Sequence, residues 1–181
     1  MEYLDLVDEQ GRPTGEIVSR TEAHAKKLPH RTSHVWLLRK KDGVLQILLQ
    51  KRSDDKDAYP GCYDISSAGH IPAGQDYIPS ALRELKEELG VEVAAQDLIY
   101  CGQRHILFDQ VFHGKPFHDN QYTNVYLLWL DRDADEFQLQ REEVAEVRWL
   151  DFTDCLEQVR TNAIPHCIYM EELEMVARHS H

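Results

Sequence analysis

The chain has 181 residues, 42% of them apolar, enough to bury one substantial core without disulfides or oligomerisation. Its 32 acidic against 20 basic residues leave a formal charge of −12, a field that repels nucleic acid polymers and anionic membrane surfaces. A small anion can bind such a chain only where local side chains or metal ions reverse the field.

The N-terminus, Met1-Glu2-Tyr3-Leu4-Asp5, lacks the basic-then-apolar order of a signal peptide, and no apolar run approaches the roughly 20 residues needed to span a bilayer. A cytoplasmic protein with no membrane partner is expected. Tyr3 to Val7 alternates, Asp8 to Gly15 is rich in turn formers, and Glu16-Ile17-Val18 resumes an extended pattern, so residues 1–30 should hold an N-terminal hairpin and a connecting segment. A short helical stretch is expected around Thr21 to Lys27. Val35-Trp36-Leu37-Leu38 and Leu45-Gln46-Ile47-Leu48-Leu49 flank Lys41-Asp42-Gly43, which predicts a second hairpin near the centre of a sheet.

After Tyr59-Pro60-Gly61 and the extended run Tyr63 to Ala68, Gly69 and Gly74 bracket a loop. From Pro79 the period becomes helical: Ile78, Ala81, Leu82, Leu85 and Leu89 share a face, and Gly90 suits the position just past the end. Asp97 to Phe108 and Gln121 to Leu130 read as strands joined by His113-Gly114-Lys115-Pro116, and Val144 to Leu150 as one more. Residues 153–181 carry two helical patterns separated by Pro165, the second over Ile168 to Arg178. Strands, a helix among strands and then terminal helices indicate a single α+β or α/β layered domain over residues 1–181. Cys62, Cys101, Cys155 and Cys167 show no CxxC spacing, so buried free thiols are expected rather than a zinc ribbon or a redox pair.

The chemistry is concentrated in Arg83-Glu84-Leu85-Lys86-Glu87-Glu88-Leu89-Gly90-Val91. On a helix Glu84, Glu87 and Glu88 stand at i, i+3 and i+4, three carboxylates on one face, with the apolar stripe about a third of a turn away. Like charges at i,i+4 cost an isolated helix about 0.2 to 0.5 kcal/mol, so the cluster is unfavourable unless a cation sits on it. Hard oxygen ligands of this kind suit Mg2+ or Mn2+. A metal held there has the properties that phosphoanhydride hydrolysis requires.

Gly69, five residues, Gln75, seven residues, then Arg83-Glu84-Leu85-x-Glu87-Glu88-x-Gly90-Val91 resembles the Nudix box, G-x5-E-x7-R-E-U-x-E-E-x-G-U, with U a bulky aliphatic residue. The resemblance implies a Nudix-type α/β/α sandwich with a mixed central sheet, the box occupying the loop and helix of residues 69–91. It implies that Glu84, Glu87 and Glu88 are metal ligands, one of them also a base, that Arg83 orients them, and that Gly69 and Gly90 permit the loop and helix geometry. The departure is Gln75, where the family usually has Glu. An amide brings no charge and cannot act as a base, which puts further metal ions in doubt, with Asp76 a neighbouring substitute.

Leu48 to Ser53, Tyr59-Pro60-Gly61 and Ser66-Ser67-Ala68-Gly69-His70 resemble the Nudix subgroup that is itself similar to isopentenyl-diphosphate isomerases. At the isomerases' catalytic cysteine and glutamate this sequence has Ala68 and Asn124, neither of which can move a proton. His24, His30 and His70 partly echo the isomerases' metal-binding histidines. The expected activity is therefore hydrolysis of a small nucleoside-diphosphate-like compound by a metal-dependent pyrophosphohydrolase. The alternatives are an isomerase-like enzyme and a non-catalytic nucleotide sensor, and a homodimer is left open. Glu142 or Glu143 is a candidate to complete the metal site. Lys51, Arg52, Gly69 and His70 are candidates for binding the substrate, and Trp36, Tyr59, Tyr63 and Phe108 for stacking on a base.

Overall fold

A strand carrying four consecutive apolar residues, Val35-Trp36-Leu37-Leu38, has to be covered on both faces, and this requirement organises the fold. The computed structural model describes Met1–His181. Strand β3 (His30–Lys41) crosses the middle of a seven-stranded sheet and divides two cores. Trp36 and Leu38 join one core, while Val35 and Leu37 join the other.

The N-terminal hairpin forms a separate two-stranded sheet of β1 (Tyr3–Val7) and β2 (Pro13–Ser19), followed by helix α1 (Arg20–Ala25), whose N-cap Ser19 accepts from Glu22 N. In the main sheet β3 pairs antiparallel with β4 (Val44–Arg52), and β4 pairs with both β5 (Tyr63–Asp64) and β9 (Val144–Asp151). On its other edge β3 lies parallel to β8 (Lys115–Trp129), which pairs with the edge strand β7 (Ile99–Phe112). The one parallel pair makes the sheet mixed.

Strands β3 and β4 are paired only from Leu38 to Lys41, and on the N-terminal side of Leu38 β6 (Ser67–His70) takes the place of β4 beside Thr32 to Val35. Ser66 bridges the split. Its hydroxyl donates to the Leu48 carbonyl at 2.6 Å and accepts from Leu37 N at 2.9 Å. The parting of the sheet opens the cleft in which the polar residues gather.

Helix α2 (Tyr77–Leu89) lays Ala81, Leu85 and Leu89 on one face of the sheet against Val35, Leu37 and Leu48. Helices α3 (Phe152–Arg160) and α4 (Met170–Arg178) cover the opposite face, where Phe152, Val159, Leu173 and Val176 pack with Trp36 and Leu127. The result is an α/β/α sandwich with a mixed sheet, as the resemblance to the Nudix box implies. The departures lie at boundaries. Asp76 caps α2 from outside, its carboxylate accepting from Tyr77 N at 2.8 Å, so the helix begins two residues before Pro79. Strands β7 and β8 run past Phe108 and begin before Gln121, closing on a tight turn in which His113 and Gly114 both have positive φ. No helix is long and apolar enough to cross a membrane.

Candidate metal and ligand site

The acidic face of α2 is turned toward β6. Glu88 is 6% exposed, and its Oε1 accepts from Ser67 Oγ at 3.0 Å and from Ala68 N at 3.3 Å. Gln50 Nε2 reaches Glu88 Oε2 at 3.4 Å. Glu84 is mostly covered, whereas Glu87 is exposed. Arg83 stands beside both, with Nη2 3.5 Å from Glu84 Oε1 and Nε 3.8 Å from Glu87 Oε1. Burial, reinforced by Glu87, pushes the Glu84 carboxyl up to about 7. Burial, reinforced by Glu84, pushes Glu88 up to about 8. Two neighbouring carboxylates so poorly solvated form a donor set that a divalent cation fits, because its charge supplies the compensation the protein withholds. Glu84, Glu87 and Glu88 would hold it.

Two glycines shape this corner. A Cβ on Gly69 would lie 2.5 Å from Glu84 Cδ, so the β6 backbone approaches the acidic face as only glycine permits. Gly90 ends α2 at φ 68°, its N–H donating to Lys86 O, and a Cβ there would meet Gln138 Cβ at 2.7 Å.

The acidic face forms one wall of a cavity of about 580 Å³. Arg83, Glu84, Glu87, Glu88, Gly69 and His70 all line it, as do Arg52 and Glu143. Lys51 does not. It precedes Arg52 on β4, and alternation along the strand sends the two side chains to opposite faces, which corrects the expectation that both face the ligand. Arg52 is bound to Asp64 at 2.9 Å and donates Nε to Ala58 O at 2.9 Å. Glu143 forms an ion pair with Lys56 on the cavity wall, while Glu142 does not line the cavity and contributes its carbonyl to Ser53 Oγ. The Gln75 side chain is exposed and lies away from the cavity, and the backbone carbonyl of Gln75 accepts from Arg31 Nη2 at 2.9 Å. Asp76 is the helix cap. The departure from the box therefore falls outside the acidic cluster.

Of the aromatic candidates, Tyr59 and Phe108 line the cavity, while Trp36 and Tyr63 belong to the core. Phe117 and Tyr169 line it too, and no local pattern marked them. The structure also gathers His24, His30 and His70, with ligand nitrogens within 4.8 Å of one another. Asp119 Oδ1 lies 3.3 Å from His30 Nε2 and 3.7 Å from His24 Nε2, and both nitrogens are buried without a hydrogen-bond partner. His30 Nδ1 donates to Leu28 O at 2.8 Å, which fixes the ring with Nε2 directed toward the carboxylate. Burial holds His24 down to about 4 and His70 well below the usual imidazole range, so both present neutral nitrogens. Orphaned imidazole nitrogens around one carboxylate fit a borderline divalent cation. Asp119 was not legible as a member, since it enters from β8, distant in sequence.

Comparison with known proteins agrees with this architecture. A family model described as NUDIX domain matches residues 28–168. Nudix hydrolase 3 of Arabidopsis thaliana is 39% identical over 157 residues, covering 84% of this chain and 20% of that protein. An uncharacterized Nudix hydrolase of Clostridium acetobutylicum is 36% identical over 143 residues, covering 79% of this chain and 66% of the relative. The chain thus spans less than two thirds of either relative's length. A crystal structure of a Deinococcus radiodurans protein superposes with a TM-score of 0.67 at 22% identity, over 96% of this chain and 98% of the other, a likeness of fold. Matched by its family model across the central sheet and the acidic helix, and by relatives named Nudix hydrolases along most of its length, the chain belongs to the NUDIX domain family.

Proposed function

We propose that this chain is a metal-dependent pyrophosphohydrolase that cleaves the phosphoanhydride bond of a small nucleoside-diphosphate-like compound. The observation that carries the reading is the buried meeting of Glu84 and Glu88 at the wall of a cavity large enough for such a ligand.

When bound, Mg2+ or Mn2+ supplies positive charge at the diphosphate oxygens and lowers the pKa of a coordinated water. Glu84, Glu87 and Glu88 would hold the cation, and Arg83 stands beside two of those carboxylates, Glu84 and Glu87. Lys56 and Arg20, also on the cavity wall, draw the anionic ligand into a chain of net charge −12. The water oxygen forms a new bond to phosphorus as the bridging P–O bond breaks, and the water proton passes to a carboxylate of the acidic face. The leaving phosphate departs with the bonding electron pair.

An isomerase reading is disfavoured by the groups around Ala68. Across β3 the residue on β8 in register with Ala68 is Val125, and the adjacent Asn124 accepts from Gln103 Nε2 at 3.0 Å and donates to Tyr126 Oη at 3.2 Å, so neither position offers an acid or base. The deciding experiment is a phosphate-release screen over nucleoside diphosphates, sugar nucleotides, dinucleotides and prenyl diphosphates, with Mg2+ and with Mn2+. Turnover of at least one nucleoside-diphosphate-like compound is expected. Saturable nucleotide binding without turnover at any metal concentration identifies a sensor instead, and deuterium exchange into isopentenyl diphosphate identifies an isomerase.

A further inference from the structure

His34 lies on β3, on the sheet face covered by α4, and is 8% exposed. Its Nδ1–H donates to Glu172, at 2.9 Å from Oε2 and 3.0 Å from Oε1. Glu172, on α4 and 1% exposed, also accepts from Trp36 Nε1 at 2.7 Å and from Arg104 Nη1 at 2.8 Å. Donors from two strands therefore saturate one buried carboxylate, and the imidazole is pinned by its Nδ1 edge. Its Nε2 has no hydrogen-bond partner in the protein, and the ring lines the cavity.

The charged groups facing His34 are Glu172 from α4, Asp64 from β5 and Arg104 from β7. Burial works against a charge on the ring, and the two carboxylates more than offset it, so the imidazole is held above its usual range. The guanidinium groups nearby are already engaged: Arg52 with Asp64 and Ala58 O, Arg104 with Glu172 and Glu171. On this part of the cavity floor, His34 Nε2–H is a cationic donor left free to meet a ligand.

Its position matters. In the β3–β6 ladder His34 stands opposite Ala68, the residue whose N–H binds Glu88, so one strand separation, about 4.8 Å, divides the imidazole's strand from the acidic corner. We propose that His34 is a ligand-binding residue whose Nε2–H donates to an anionic phosphate oxygen of the bound compound, with Glu172 as the positioning residue that aims it. The cavity then grips its ligand from both sides of β6, one phosphate at the acidic face and another anionic oxygen at His34. This deepens the hydrolase reading and rests on it for the cavity's role.

The test uses the full 15N-labelled chain with Mg2+ and inorganic pyrophosphate as the probe, read from the histidine ring nitrogens, with the His34 signals identified by their loss in His34→Phe. Pyrophosphate should shift the His34 Nε2 signal saturably below about 10 mM, and His34→Phe should weaken binding about tenfold with melting nearly unchanged. Glu172→Gln should move the His34 nitrogens toward the pattern of a neutral ring and weaken binding by a similar factor. A His34 signal that stays still in the wild-type chain, whether or not pyrophosphate binds elsewhere, overturns the assignment. Failure of the phosphate-release screen is a separate result, because the ring shift is read without turnover.

Discussion

The backbone of Gly69 and the side chain of Glu84 are so close that a single added methyl group would lie 2.5 Å from Glu84 Cδ. Gly69 does not have a positive φ, so its requirement is space rather than backbone freedom. Gly69→Ala should therefore leave the fold in place and push the Glu84 carboxylate out of the corner. Turnover should fall at least tenfold, with a modest loss of melting temperature. Equal turnover at equal metal concentration would show that Glu84 need not sit where it does.

Glu87 separates chemistry from folding. Its side chain is 52% exposed and its one close partner is Arg83, so the fold gains little from its charge. Glu87→Gln should lower kcat by about a hundredfold or more while the metal-free melting curve stays within about a degree of the parent. Undiminished activity removes Glu87 from the metal site.

Glu84 and Glu88 make the metal-free protein sensitive to pH. Both carboxyls titrate near 4.5 when unfolded and at about 7 and about 8 in the folded chain, so the folded state binds more protons between those limits. Stability from this source is fully present below pH 4.5 and is lost as the pH rises through 7 and 8. Thermal melting without metal should fall across that window, and saturating Mg2+ should flatten the decline by pairing the ionised carboxylates. A metal-free curve that is level from pH 5 to 8.5 contradicts the burial of the pair.

Gly90 tests the end of the acidic helix. With φ at 68° and Gln138 Cβ 2.7 Å from where its own Cβ would be, Gly90→Ala meets both backbone strain and a clash. A loss of about 1 to 3 kcal/mol in denaturant unfolding is expected. A neutral result would mean that the segment around Gln138 yields freely.

The histidine cluster around Asp119 makes its own prediction. Cobalt(II) added to the metal-free chain should give visible bands of a low-coordinate nitrogen site, retained in Glu87→Gln and abolished in His24→Ala or His70→Ala. Bands that follow Glu87 rather than the histidines would assign the ion to the acidic helix.

The strands, α2 and the box spacing were legible because each depends on near neighbours along the chain. A period of 3.6 residues puts Glu84, Glu87 and Glu88 on one face wherever the helix lies, and Gly90 marks its end. Reading Lys51 with Arg52 failed at the same local level, because two basic neighbours on a strand cannot share a face.

What the sequence determined alone was the family pattern, the sandwich and the acidic face; what the tertiary structure decided was which distant residues meet that face. Asp119 joins His24 and His30 through the β3–β8 register, and Glu172 reaches His34 across 138 positions by the docking of α4. Such meetings are set by strand register and helix packing, long-range choices driven by burial in the shared core, and nothing in either segment's own periodicity encodes its partner.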